Sequence, residues 1–72
     1  MIEYSPFWKT LKQKDISTYT LINEHRMSSS TLSRLRHNKP ISTVTLNDLC
    51  RILNCSVDEV ATYVPNENDQ KL

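Results

Sequence analysis

The chain has no glycine at all, only two cysteines, three prolines and few aromatic residues. Without glycine, the left-handed turns that end helices fall to residues carrying a Cβ. Asp15, Asn38 and Asn54 are among the residue types that tolerate that conformation best. The two cysteines, Cys50 and Cys55, stand in a CxxxxC spacing that matches no common zinc pattern, and His25 and His37 lie far off in sequence. Cys50 falls on an apolar helical face and reads as a small core residue, so neither a metal nor a redox site is read here. No apolar run approaches the ~18 residues of a membrane span, and "MIEYSPFWK" lacks the apolar stretch of a signal peptide. The expected address is cytoplasmic. Paired carboxylates facing a cleft and a nucleophile–His–acid constellation are also missing, which argues against an enzyme. No cofactor and no small-molecule ligand is indicated.

What is present fits one small domain. At 72 residues with 38% hydrophobic and 24% charged content, the chain is ordinary for a globular fold. It buries roughly 60% of the surface its unfolded form exposes. The net charge is only +1, but it is unevenly spread. Residues 1–25 sum to zero. Residues 26–51 carry Arg26, Arg34, Arg36, Lys39 and Arg51 against Asp48 alone, giving +4; residues 52–72 set Lys71 against four acids, giving −3. A basic middle beside an acidic end is a local footprint that the total conceals.

Periodicity and caps predict five short helices and no strand. "SPFWKTLKQKD" offers Ser5 as N-cap and Pro6 at the first helical position, with Phe7, Trp8 and Leu11 facing inward and Lys9, Lys12 and Lys14 outward. Ser17 caps a second helix on which Leu21, Ile22 and His25 share a face. Ser28 caps a third, with Met27 placed to pack on Leu32 as a hydrophobic staple. Ser42 caps a fourth, on which Leu46, Leu49, Cys50 and Leu53 give the clearest i, i+3, i+4, i+7 pattern in the chain. "SVDE" at 56–59 matches a capping box, and Val57, Val60 and Val64 supply a fifth apolar face before Pro65. The domain is expected to span 1–65, followed by a flexible polar tail over 66–72.

The third helix, 28–37, carries the functional argument. On a wheel of about 100° per residue, Leu32 and Leu35 set the core direction. Ser30, Arg34 and His37 lie opposite, with Ser33 at the margin and Ser29 on the flank at the N-terminal end. Short hydroxyls at one end and an arginine one turn later suit insertion of the helix N-terminus into a major groove. The start of the second helix, at Ser17 and Thr18, offers N–H groups and hydroxyls to a backbone phosphate. Lys39, just past the third helix, and Thr43, at the start of the fourth, lie where the adjacent backbone would run.

The order "FWKTLKQKDISTYTLINEHRMSSSTLSRLRHNK…TLNDLCRILNCSVDEVATYVP", residues 7–65, resembles the phage-repressor/Cro type of helix-turn-helix, also called the XRE family. It is most similar to the short single-domain regulators of Gram-positive bacteria and their phages or mobile elements. The resemblance implies an all-α, five-helix lambda-repressor-like domain that binds double-stranded DNA sequence-specifically, as a homodimer on a palindromic operator. It places base contacts at Ser29, Ser30, Ser33 and Arg34, and phosphate contacts near Ser17, Thr18, Ser28 and Lys39; His37 and Thr43 join the phosphate set. The family often has glycine where Asp15, Arg26 and Asn38 stand here, and a small alanine where this chain has Ile22.

The expected function is therefore a DNA-binding transcriptional regulator, a repressor in the first reading. The competing class is a protein-interaction module of the same fold, an antitoxin-like or anti-repressor partner with secondary DNA contacts. The low net charge and the lack of Gln or Asn on the third helix motivate it. The last apolar segment, with Tyr63 and Val64, is the candidate surface for dimerisation.

Overall fold

The computed structural model describes residues 1–72. Four α-helices carry the domain: α1 (Ser5–Gln13), α2 (Thr18–Glu24), α3 (Ser29–Arg36) and α4 (Thr43–Leu53). A 3-10 turn (Val57–Glu59) follows, and two short strands, β1 (Ile2–Glu3) and β2 (Thr62–Tyr63), pair antiparallel with Ile2 opposite Tyr63.

Three of the helices begin in the same way. Ser17, Ser28 and Ser42 each hold an extended backbone, and each side chain accepts the backbone N–H of the threonine three residues on, at 3.1 Å in every case. A further hydroxyl–hydroxyl contact joins each pair: Ser17–Thr20, Ser28–Thr31 and Ser42–Thr45. This S-x-x-T arrangement satisfies one of the N–H groups that a helix start leaves unpaired, and such a cap stabilises by about 1 kcal/mol.

The junctions between helices are left-handed. Asp15, Arg26, Asn38 and Asn54 have φ between 50° and 56°, so three Asp or Asn residues and one arginine do the work that glycine would do. Arg26 lacks the short side chain that lets Asn or Asp bond locally in this region, and it holds the position at a cost of about 1 kcal/mol. The turn is fixed by Met27, whose N–H reaches back to the Leu21 carbonyl at 3.0 Å.

The core is one cluster: Tyr4, Phe7, Leu11, Leu21, Leu32, Leu35, Leu49, Leu53 and Val60, with Thr10 the one buried polar residue. Its hydroxyl donates to the Glu59 carbonyl at 2.7 Å, which ties α1 to the 3-10 turn and leaves no polar group stranded.

Several expectations are corrected. Ser5 is not the N-cap of α1: Tyr4 holds that place without a side-chain cap, and the Ser5 hydroxyl donates to Glu3 at 2.7 Å. Tyr4 is drawn inward because its phenol and ring are needed in the core, which shifts the helix start by one residue. On α2 only Leu21 is buried; Ile22 is 40% exposed and His25 is exposed, because a seven-residue helix presents too little length to bury a broad face. The expected fifth helix is the 3-10 turn, so the fold has four α-helices rather than five. Glu59 does cap that turn, accepting the Ser56 N–H at 3.3 Å and its hydroxyl at 2.9 Å. Beyond Val60, however, Thr62 and Tyr63 extend to pair with the start of the chain, as suits β-branched and aromatic residues. Val60 alone of the three valines is buried; Val57 and Val64 are 55% and 40% exposed. Cys50 is half-buried rather than fully inside.

Candidate nucleic-acid interface

Helix α3 is held from beneath and at both ends. Leu32 and Leu35 bury its inner face, and Met27, just before the cap, packs against the same core. At the far end, Asn38 accepts the Tyr4 N–H on its side-chain carbonyl at 3.0 Å, and the Tyr4 phenol donates to the Lys39 carbonyl at 2.8 Å. Burial pushes the Tyr4 phenol up, so it stays a protonated donor. These two bonds clamp the end of α3 to the start of α1 and fix how far α3 projects.

What projects is the set expected from the wheel: Ser29, Ser30, Ser33 and Arg34 are all exposed. The hydroxyls of Ser29 and Ser30 make no hydrogen bond within the chain, and the Arg34 guanidinium makes neither a hydrogen bond nor an ion pair. Ser33 is partly engaged, its hydroxyl 3.5 Å from Nδ1 of His37, and that nitrogen lies 2.8 Å from the Ser33 carbonyl. Arg36 differs. Its guanidinium lies over the Trp8 ring, 5.4 Å from the centroid, and Trp8 in turn meets Phe7 edge-on. The wheel sets Arg34 on the outer face, but nothing in the sequence pairs Arg36 with Trp8, which belongs to another helix.

The remaining basic and hydroxyl candidates sit on three different elements. Ser17 caps α2 and is exposed, while Thr18 beside it is half-buried. Ser28 caps α3, Lys39 is exposed and unpaired after it, and Thr43 is the exposed first residue of α4. The hydroxyls of Ser17 and Ser28 each accept a helix N–H and also share a hydroxyl contact with Thr20 and Thr31. A polar cleft of about 290 Å³ lies between the α2–α3 turn and α4, with Arg26, Ser28, Thr31, Asp48 and Arg51 in its wall. Arg51 is 3.5 Å from Asp48 there, the one acid among residues 26–51, which leaves Arg26, Arg34, Arg36 and Lys39 as the unneutralised charge of that segment. No group of three or more His, Cys, Asp or Glu side chains gathers that could hold a metal ion, and no helix is long and apolar enough to cross a membrane.

Two helices joined by a tight left-handed turn, with the second fixed at both ends and polar on its outer side, form a helix-turn-helix. Residues 7–66 match the family described as the Cro/C1-type HTH DNA-binding domain. The chain belongs to that family. As a Cro/C1-type domain, it is similar to the solved crystal structure, form II, of the transcriptional regulator VanUg. The identity is 28% with a TM-score of 0.81, over 90% of this chain and 87% of that one. No curated protein matches it. Its class of function is thus DNA binding in transcription regulation.

Proposed function

We propose that the protein is a transcriptional repressor that reads the major groove with α3 and blocks a promoter by occupying it. Ser29, Ser30, Ser33 and Arg34 approach base edges, with Arg34 bidentate to guanine O6 and N7. Ser17, Thr18, Ser28, His37, Lys39 and Thr43 meet the phosphates on either side. The observation that carries this reading is the unpartnered state of the outer face: two hydroxyls and a guanidinium, exposed and bonded to nothing in the chain. Small serines let the helix backbone close on the groove, and an unpaired arginine has no internal contact to give up.

The same reading includes a homodimer on a palindromic operator. One domain of this size offers few base contacts, and linking two half-sites multiplies affinity without a new contact. The apolar residues left outside are consistent with a second copy: Ile2, Val57 and Tyr63, 48%, 55% and 61% exposed, line one groove beside the β1–β2 pair.

Selection of duplexes from a random pool, followed by binding at two salt concentrations, tests the proposal. A selected palindrome is expected. Arg34→Ala should weaken the preferred site by about 1–3 kcal/mol and relax specificity at one base pair. Lys39→Ala should weaken all duplexes alike and reduce the salt slope by about 1. Binding to every duplex unchanged by Arg34→Ala would move the reading surface elsewhere. No salt-sensitive binding at micromolar protein would favour the protein-interaction module instead.

A further inference from the structure

Helix α4 ends in a reversal that brings two thiols together. Asn54 takes the left-handed conformation, and its N–H donates to the Arg51 carbonyl at 3.3 Å. The next N–H, of Cys55, reaches the Cys50 carbonyl at 3.0 Å. This pair of bonds is the Schellman closure, in which the side chain just past the helix end folds back onto the one five residues earlier. That contact is ordinarily between apolar side chains. Here both positions are cysteine, both are free, and both are half-buried against the core. The backbone bond alone holds the two Cα atoms within about 7 Å, the outer limit of a disulfide's reach.

We propose that Cys50 and Cys55 form a modification site, a dithiol that a small-molecule disulfide of the oxidised-glutathione class closes to an intramolecular disulfide. One cysteine gives up its proton, and its thiolate attacks a sulfur of the oxidant; the oxidant's S–S bond breaks, one glutathione leaves, and a mixed disulfide remains on the chain. The second cysteine, deprotonated in turn, attacks the protein sulfur of that mixed disulfide and expels the second glutathione. Two protein thiols become one disulfide, one small disulfide becomes two thiols, and the two protons pass to the released glutathione. The bond would join the last turn of α4 to the segment leading into the 3-10 turn, which the cap already holds beside it. Burial pushes the Cys55 thiol up; the Cys50 thiol and the Glu59 carboxylate beside it add to this, and Lys14 opposes it. Closure is therefore faster in mildly alkaline buffer, where more thiolate is present.

The full chain, equilibrated with glutathione redox buffers in mildly alkaline solution, tests this directly. Free thiols are blocked after acid quenching, and mass spectrometry counts two blocking groups on the open chain and none on the closed one. Run in native buffer and again in concentrated guanidinium, the closed-to-open ratio should be about tenfold or more higher in the native protein, because the fold pre-positions the pair. Cys50→Ser and Cys55→Ser should each stop at a single glutathione adduct. A native ratio equal to or below that in denaturant overturns the proposal, as does a product made of two chains joined by a disulfide.

Discussion

The outer side of α3 and the corner where the two chain ends meet are both polar and exposed, and they differ in whether their groups have partners. At the corner, the ammonium, the phenol and the Asp69 carboxylate are paired. The terminal ammonium of Met1 donates to the Val64 carbonyl and lies 2.7 Å from the Asp69 carboxylate, which also accepts the Tyr63 phenol and the Asn66 N–H. On α3, Ser29, Ser30 and Arg34 have no internal partner, although Ser28 one residue earlier and Arg36 two residues later do. The difference separates residues that hold the fold from residues that the fold holds out.

Four tests break or sharpen that contrast. The largest acts beneath α3: Leu35→Ala empties a fully buried position and should cost about 2–5 kcal/mol in denaturant unfolding. A loss of that size removes much of the stability of a domain this small, and DNA binding should fail with it. Next, Arg36→Ala should lower stability by about 0.5–1 kcal/mol through loss of its seat on Trp8. Sequence preference in a duplex selection should stay as in the parent, the reverse of the pattern expected for Arg34→Ala. Third, Ser28→Ala should cost about 1 kcal/mol of stability through the lost cap, whereas Ser30→Ala should leave the unfolding midpoint where it is and register only in DNA binding. The smallest effect lies at the corner. The chain-terminal ammonium, first, and the Tyr63 phenol, second, hold the Asp69 carboxyl below its ordinary value. Because the folded value is the lower one, the stabilisation is complete above the usual carboxylate range and is lost as pH falls through the depressed value. Carboxyl NMR should show Asp69 titrating below the ordinary aspartate value, and Asp69→Asn should remove that acid-limb slope.

Much of the fold was legible because it is built from short-range chemistry. A serine before an apolar period bonds an N–H three residues away, so Ser17, Ser28 and Ser42 announce their helices locally. Asp15, Asn38 and Asn54 mark left-handed ends for the same reason. The outward placement of Ser29, Ser30, Ser33 and Arg34 follows from Leu32 and Leu35 setting the inner face. What stayed hidden depends on partners distant in sequence. Nothing near Thr62 and Tyr63 tells that Ile2 and Glu3 will pair with them, so a valine spacing compatible with a helix turned out to lead into a strand. Nothing near Arg36 tells that Trp8 will take it out of the uncommitted charge. Cys50 and Cys55 looked unrelated because their spacing fits no metal pattern, and only the left-handed Asn54 between them folds one onto the other.

The absence of glycine at the junctions has a consequence for recognition itself. A left-handed glycine leaves its joint free to explore mirror conformations, whereas Asp15, Arg26 and Asn38, once in that region, have few others within reach. The joints on either side of α2 and α3 are accordingly stiff, and under the proposed reading α3 would meet the groove already in place. Little conformational entropy then remains to be lost on association, so a face with a single arginine and a few hydroxyls keeps more of the free energy of each contact it makes.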